Sequence, residues 1–214
     1  MKKAVIFDLD GTLLNTLKSI AQCANAALEK FGLPAVEQEI YPQFVGHGAQ
    51  ALIRGVFKFV HADSEIFNDF QREFLEIYNK NGADNISVYP GIFELLQELR
   101  KREIKTAVLS NKPHAIVKHA CAEFFPNMFD VVYGQRDNIP AKPDPFMVRK
   151  ILNELNVSVK DCIYCGDSGV DIDTGRNAGA LTLGAAWGFY SDTQFAKADG
   201  ILKFPQDMLG YIKL

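Results

Sequence analysis

The sequence has little cysteine and no surplus of basic residues. Four of its 214 residues are cysteine, and 23 Lys and Arg against 26 Asp and Glu leave a net charge of −3. A disulfide-stapled miniprotein needs more cysteine, and a nucleic-acid groove usually needs a basic surplus. We therefore expect a protein of neither class, and no nucleic-acid partner.

Long hydrophobic runs are also missing. The apolar stretch 4–7 is followed at once by Asp8 and Asp10, so it is far shorter than the core of an export signal. The uncharged stretch 179–190 is too brief to span a bilayer and is interrupted by glycine. With little cysteine and no export signal, we expect a reduced, cytoplasmic protein without a membrane partner.

What the sequence does contain is a regular alternation of apolar runs and helical patterns. Helical patterns cover 91–102, 113–124 and 145–155, with Pro113 expected at the first helical position and Asp144 as an N-cap. The candidate strands between them are nearly all apolar, so both of their faces should be covered, as in a parallel sheet. These strands are 3–7, 105–109, 131–133, 162–165 and 180–183. The alternation predicts an α/β fold with a doubly wound parallel sheet.

One stretch breaks this alternation. Between about residues 15 and 83, apolar residues recur at helical spacing and no strand is convincing. The Phe-rich stripe over 67–78 is expected to form that block's own core. The pattern predicts an all-helical domain at 15–83, inserted into a discontinuous α/β core made of 1–14 and 84–214.

Four motifs carry residues of catalytic type, and the first follows the first strand. In Asp8-Leu9-Asp10-Gly11-Thr12, the two acids point the same way because side chains alternate along an extended chain. Two carboxylates that face one space can act as nucleophile and as general acid/base. Gly11 allows a tight turn whose following amides can face an anion. An ordinary Asp-Gly turn at a strand end is the alternative.

The second and third motifs offer a hydroxyl, an amide and a lysine. Ser110 and Asn111 end a predicted strand and suit a phosphate oxygen, or they simply cap the next helix. Lys142 precedes Pro143, which favours an extended conformation there. Such a lysine could neutralise a phosphate, although a lone lysine is more often solvated.

The fourth motif is Gly166-Asp167-Ser168-Gly169-Val170-Asp171, after the strand 162–165. Asp167 and Asp171 offer the oxygen ligands that Mg²⁺ prefers, while Ser168 with Asp171 also reads as a helix capping box. All four motifs follow carboxyl ends of predicted parallel strands, the edge where open α/β sheets bind ligands. Their convergence predicts a site for a cation and a phosphate.

In this order the four motifs resemble those of the haloacid dehalogenase-like superfamily, specifically its phosphatases, over most of the chain. The resemblance implies a Rossmann-like core with a helical cap, Mg²⁺ as cofactor and a phospho-aspartate intermediate. It implies that Asp8 attacks phosphorus, and that Asp10 protonates the leaving oxygen and later deprotonates the hydrolytic water. Ser110 and Lys142 would hold the transferring phosphoryl group.

The resemblance also implies a metal site. Asp8, the backbone carbonyl of Asp10 and Asp167 would bind Mg²⁺. Asp171 would act from outside the ligand set, orienting waters or Lys142. Three further positions in the core are candidates for substrate contact: Gly11, Thr12 and Asn111.

Within the superfamily, the helical block is most similar to that of the phosphoglycolate phosphatases. The segment Phe44-Val45-Gly46-His47-Gly48 looks like their Val-Gly-x-Gly loop, whose glycines let the backbone approach a small substrate. His47 stands in place of a small amide there, and Asn15-Thr16 replaces the more usual Asp-Ser pair. Gly46, His47 and Gly48 are therefore candidate substrate-binding residues, with His47 either a donor to a substrate carboxylate or a solvated loop residue.

Other functions share part of this chemistry. A pyrophosphatase or nucleotidase and a phosphoglucomutase-like phosphotransferase belong to the same superfamily. A receiver-like phosphoacceptor also uses an aspartate, Mg²⁺, a hydroxyl residue and a lysine, but it is much shorter and carries its aspartate on a later strand. A catalytically silent binding protein would not need the intact set of acids. The partner we expect is a small phosphorylated metabolite, and the sequence leaves monomer and homodimer open.

Overall fold

The computed structural model describes residues 1–82, 84–190 and 192–213. Ala83, the predicted end of the helical domain, lies outside these residues, as does Leu214 at the predicted end of the core. None of the helices within the described part of the chain has the length and apolar character that crossing a bilayer requires.

Eight strands and eight α-helices form the regular structure. The strands are β1 (Ala4–Phe7), β2 (Leu14–Asn15), β3 (Ser87–Val88), β4 (Lys105–Pro113), β5 (Val131–Gln135), β6 (Cys162–Gly166), β7 (Leu181–Ala185) and β8 (Gly200–Leu202). The helices are α1 (Leu17–Lys30), α2 (Ala49–Phe59), α3 (Phe67–Asn81), α4 (Ile92–Lys101), α5 (His114–Phe124), α6 (Phe146–Leu155), α7 (Gly169–Ala178) and α8 (Met208–Ile212). These counts refer to the described residues.

The chain divides into two compact units. One contains Met1–Asn15 and Val88–Leu214, and the other contains Thr16–Ser87. The larger unit is built on a six-stranded sheet in the order β5-β4-β1-β6-β7-β8, in which all neighbours are parallel. Helices cover both faces of this sheet, so the predicted doubly wound α/β fold is confirmed.

The apolar composition of the strands is explained by their burial. All four residues of β1 are fully buried, because the strand lies at the sheet's centre between β4 and β6. On one face, Ile6 and Tyr164 of adjacent strands pack with Val148 and Ile151 of α6. Burial on both faces removes the alternation that a half-exposed strand would show.

Two predicted boundaries near β4 were wrong. The strand does not end at Leu109 but continues to Pro113, after a shift in its register with β5. Pro113 is therefore the last strand residue and not the first helical one, since an irregular register tolerates a residue without an N–H. Further on, Pro145 and not Asp144 is the N-cap of α6, although Oδ1 of Asp144 accepts the N–H of Phe146 at 2.8 Å.

The smaller unit has an aromatic core of its own. Phe70 and Phe74 of α3 are buried, and the ring of Phe57 on α2 lies 5.4 Å from that of Phe70 and 5.2 Å from that of Phe67. The Phe-rich stripe therefore packs within the helical unit, as its helical spacing predicts.

Candidate active site

The first motif turns sharply away from the end of β1. The amide of Asp8 still donates to the carbonyl of Cys165 at 2.9 Å, which ties the start of the motif to β6. Gly11 follows with a φ of +86°, in the region that favours glycine. A Cβ at this position would also overlap the carboxylate of Asp167. Glycine is thus required here both for the turn and for the close approach of Asp167.

Thr12 serves Asp167 and does not present donors to an anion. Its Oγ1 donates to Oδ1 of Asp167 at 3.1 Å, and its N–H donates to the carbonyl of Leu9 at 3.3 Å. Gly11 similarly donates its N–H to the carbonyl of Leu14. The expectation that the amides after the turn face an anion is therefore corrected, because the turn itself uses them. The contact of Gly11 and Thr12 with substrate stays a prediction.

Lys142 is buried among carboxylates. Its Nζ donates to Oδ1 of Asp8 and to Oδ1 of Asp171, each at 2.7 Å. Although burial disfavours its charge, Asp171 and Asp8 raise the pKa of Lys142 well above its usual value. The reading of Lys142 as a solvated lysine is therefore wrong, and this side chain is a permanent cation within the site.

Asn111 fixes the backbone that carries this lysine. Its Oδ1 accepts the N–H of Lys142 at 2.9 Å, and its Nδ2 donates to the carbonyl of the same residue at 3.1 Å. Asn111 was expected to contact substrate, and that contact stays a prediction. What the structure gives it is a positioning role, since one side-chain amide binds both backbone polar groups of Lys142.

Ser110 lies within β4 and is buried. Its Oγ accepts the N–H of Lys112 at 3.2 Å. Because the strand runs on to Pro113 and α5 begins only at His114, the alternative that Ser110 and Asn111 cap a helix is wrong.

The fourth motif joins β6 to α7. Ser168 is the N-cap of α7, and it exchanges hydrogen bonds with Asp171 in a complete capping box. Asp171 also accepts from Lys142, and from the hydroxyl of Tyr164 at 3.3 Å. The helix cap and the functional reading of Asp171 are therefore compatible, because different oxygens of one carboxylate serve them.

Three buried aspartates from two motifs form a cluster. Asp8, Asp167 and Asp171 each offer a carboxylate oxygen, and these atoms lie within 4.8 Å of one another. Burial and the neighbouring Asp171 raise the pKa of Asp8 to about 7, against the opposing effect of Lys142. Burial, together with Asp171 and Asp8, also raises the pKa of Asp167 well above its usual range. Carboxylates crowded in this way favour binding of a proton or a cation.

The charges at this edge do not balance. Four carboxylates, those of the cluster and of Asp10, lie with two buried lysines, Lys142 and Lys112. Buried charge is costly unless it is compensated. A hard dication with oxygen ligands would offset the excess, and the close oxygens of Asp8 and Asp167 fit Mg²⁺.

Sequence reasoning missed Lys112. Its side chain is 3% exposed, and its Nζ donates to Oδ1 of Asp10 at 2.8 Å. The available signal was its position two residues after Ser110, since residues two apart in an extended strand share a face. That signal was lost because the predicted strand stopped at Leu109.

A loop after β7 was missed as well. The N–H of Phe189 donates to Oδ2 of Asp167 at 2.8 Å, and the indole Nε1 of Trp187 donates to the carbonyl of Thr12 at 2.9 Å. Between them, Gly188 lies so close that a Cβ would overlap Asp167 and the carbonyl oxygen of Gly11. The loop therefore braces Asp167 and the turn after β1 together. No local pattern in the sequence predicts these contacts.

The remaining predicted residues belong to the helical unit. Gly46 and Gly48 have φ values of +98° and +87°, so this loop does use the conformational freedom of glycine. His47 between them is exposed. Their contact with substrate stays a prediction.

Comparison with known proteins shows which proteins this chain is similar to. The haloacid dehalogenase-like hydrolase family profile matches residues 5–185, which include all four motifs. A phosphoglycolate phosphatase from Vibrio parahaemolyticus is 31% identical over 198 residues, covering 87% of this chain and 85% of that protein. A pyrophosphatase from Listeria monocytogenes is also 31% identical, over 216 residues, covering 98% of this chain and 95% of that protein.

Solved structures show the same likeness. A predicted phosphoglycolate phosphatase from Haemophilus somnus superposes with a TM-score of 0.88 at 26% identity, covering 98% of this chain and 97% of that one.

Proposed function

The chain belongs to the haloacid dehalogenase-like hydrolase family and is a phosphoric monoester hydrolase, and we propose that it is a Mg²⁺-dependent phosphatase that forms a phospho-aspartate on Asp8. One observation carries the proposal. Asp8, Asp167 and Lys142 come from three chain-distant segments, and their charged groups meet at one edge of the sheet.

Asp8 is the nucleophile in this mechanism. One of its carboxylate oxygens bonds to phosphorus as the bond from phosphorus to the ester oxygen breaks, and the departing oxygen takes a proton from Asp10. In the second step, the carboxylate of Asp10 takes a proton from a water molecule, and the oxygen of that water attacks phosphorus. Breakage of the acyl phosphate releases inorganic phosphate and restores Asp8.

Positive charge at the site supports phosphoryl transfer. Lys142 neutralises the nucleophile in the resting site and then faces the charge that develops on the phosphoryl oxygens, while the hydroxyl of Ser110 holds one of them. Asp171 keeps Lys142 in place through their 2.7 Å contact.

Mg²⁺ would be held by Asp8, the carbonyl of Asp10 and Asp167. When bound, it supplies the positive charge that allows a phosphate dianion to approach a cluster of carboxylates. Thr12 and Phe189 each donate one hydrogen bond to Asp167, which orients this carboxylate for such a role.

The substrate we propose is a small ester of the phosphoglycolate type. The named relatives and the Gly46-His47-Gly48 loop support it, and we assign substrate selection to the helical unit by its resemblance to a cap. A pyrophosphatase is the second candidate, favoured by the Listeria relative that aligns over 98% of this chain. The cytoplasmic location and the oligomeric state stay predictions.

A substrate panel with and without Mg²⁺ tests the proposal. Phosphoglycolate, pyrophosphate, nucleoside monophosphates and hexose phosphates would be compared by phosphate release. We expect phosphoglycolate hydrolysis that EDTA abolishes and Mg²⁺ restores. Hydrolysis that persists in EDTA would contradict the proposed Mg²⁺ dependence. A preference for pyrophosphate would contradict the proposed substrate.

The variant Asp8→Asn tests the nucleophile. We expect loss of turnover by more than about 10³-fold and loss of the acid-stable, hydroxylamine-sensitive phosphoenzyme, with an unchanged circular dichroism spectrum. Asp161→Asn is the matched control, because Asp161 lies before a strand of the same sheet and its side chain forms a surface ion pair with Lys3. Turnover retained in Asp8→Asn would refute the assignment.

A further inference from the structure

The pairing of Lys112 with Asp10 is part of no step described so far. Its 2.8 Å contact joins a lysine side chain that is 3% exposed to a carboxylate that is 12% exposed. A surface pair of this kind adjusts freely and contributes little, but a buried lysine needs its partner to offset the loss of water. The contact therefore restricts both side chains.

The fold restricts the position of the Lys112 side chain. It stands near the carboxyl end of β4, which pairs directly with β1, the strand that leads into Asp10. Its N–H is bound to Ser110, which fixes the backbone from which the side chain departs. Asp10 is thus held from a neighbouring strand that is itself anchored in the sheet.

Each of the two aspartates of the first motif has its own lysine. Lys142 contacts Asp8 and Asp171, whereas Lys112 contacts Asp10. The first pairing serves the attacking carboxylate. The second lies on the carboxyl group that exchanges a proton with the leaving oxygen, so it bears on a different part of the reaction.

We propose that Lys112 is a positioning residue that holds the Asp10 carboxyl in place for proton transfer to the leaving oxygen. The inference rests on the proposed function, which gives Asp10 this task. Proton transfer requires donor and acceptor within hydrogen-bond reach, and an untethered carboxyl would sample other rotamers. Hydrolysis of esters whose leaving group needs a proton should therefore depend on Lys112 far more than hydrolysis of esters whose leaving group departs as an anion.

Two substrates of different leaving group test this. Phosphoglycolate releases an alkoxide-type oxygen that must be protonated, whereas p-nitrophenyl phosphate releases a stable phenolate. The quantity to compare is kcat/KM, because it reports the steps up to phosphoryl transfer and leaving-group release. In Lys112→Met we expect roughly a 10²-fold loss for phosphoglycolate and less than about threefold for p-nitrophenyl phosphate.

Three further variants make the test specific. Lys112→Arg keeps charge and donors, so it should recover much of the phosphoglycolate activity. Adding Lys112→Met to Asp10→Asn should cause no further change in the ratio of the two substrates, since a residue that acts through another has no effect without it. Lys105→Met is the matched control: this lysine of the same strand pairs with Asp130 at the surface, and its loss should leave the ratio unchanged.

The outcomes separate this inference from the proposed function. Equal losses for both substrates in Lys112→Met would overturn the inference, since damage to the fold does not discriminate between leaving groups. If Asp10→Asn lowers kcat/KM equally for both substrates, the proton-transfer role of Asp10 is refuted, and the inference is refuted with it. If Asp10→Asn lowers kcat/KM more for phosphoglycolate than for p-nitrophenyl phosphate and Lys112→Met does not, only the inference is refuted.

Discussion

At the scale of single residues, the site is governed by carboxylates that are held close together out of water. Asp8 has a pKa of about 7, chiefly because it is buried and lies beside Asp171. Asp167 is shifted in the same direction for the same reasons. Without a cation, ionisation of these carboxylates therefore lowers the stability of the folded chain. The free energy of unfolding then depends on pH.

The metal-free protein should lose stability as the pH rises through this range. The folded pKa of Asp8 lies above its ordinary value of 3.8, so the folded state binds the proton more tightly than the unfolded state. The contribution of Asp8 to the free energy of unfolding is then fully present below the unfolded pKa and is lost as the pH rises through about 7. Urea unfolding in EDTA at several pH values between about 4 and 8 measures the slope.

The comparison variant for this prediction is Asp8→Asn. It lacks the titrating group and also the Asp8 charge that helps to raise the pKa of Asp167, so its stability should fall less steeply over the same range. Identical slopes for both proteins would show that the Asp8 carboxyl does not carry the expected dependence.

At the scale of elements, short loops hold the site more than helices do. The loop after β7 contacts Asp167 through Phe189 and the turn after β1 through Trp187. Gly188 makes both contacts possible, because its missing side chain leaves room for Asp167 and the carbonyl of Gly11. A change in this loop should therefore alter the proposed Mg²⁺ site without replacing any of its proposed ligands.

Gly188→Ala should weaken Mg²⁺ binding. For the parent protein, Mg²⁺ at a hundred times its dissociation constant adds about 2.7 kcal/mol, or roughly 5–10 °C in Tm. In Gly188→Ala this shift should fall by at least about half at the same Mg²⁺ concentration, because the added methyl group displaces Asp167. Thermal unfolding with and without Mg²⁺ measures it.

Gly210→Ala provides the control for this effect. Gly210 lies in α8 with open space around it, so alanine there should preserve the Mg²⁺-induced shift. A full shift in Gly188→Ala would show that the loop does not position the metal ligand.

The difference between what could and could not be predicted also lies at this scale. The convergence of Asp8, Lys142 and Asp167 was predictable, because each comes after an apolar strand in the sequence and parallel strands place their carboxyl ends at one edge. The partner of Asp10 was not. It depends on how far β4 continues past Leu109 and on its pairing with β1, and both are set by tertiary packing that local spacing does not encode.

Side-chain pairings within the motifs show the same limit. Thr12 and Asn111 are candidate substrate contacts in the sequence, since both carry polar groups within the motifs at this edge. The structure directs Thr12 to Asp167 and Asn111 to the backbone of Lys142. Donors near a site can serve the ligand or the residues that bind it, and only the three-dimensional arrangement distinguishes the two.

At the scale of the whole molecule, chemistry and selection are assigned to different units. Every residue of the proposed chemistry lies in the unit made of Met1–Asn15 and Val88–Leu214. The loop with His47 lies in the helical unit, Thr16–Ser87, with the histidine exposed between two glycines. A substitution in that loop should therefore alter substrate choice and leave phosphoryl transfer intact.

His47→Ala should raise KM for phosphoglycolate roughly tenfold, the usual effect of losing one hydrogen bond to a charged group. Neither kcat for phosphoglycolate nor any constant for p-nitrophenyl phosphate should change, because the latter has no carboxylate. His119→Ala, at an exposed histidine of α5, serves as the control. An unchanged KM for phosphoglycolate would count against a substrate contact of His47.

The central position of β1 has a consequence for biosynthesis. The proposed nucleophile, Asp8, directly follows β1, which pairs with β4 on one side and with β6 on the other, and β6 begins only at Cys162. Pairings across such long sequence separations form late. A nascent chain that still lacks β6 also lacks Asp167, so the cluster around the Asp8 carboxylate cannot assemble until that strand has left the ribosome.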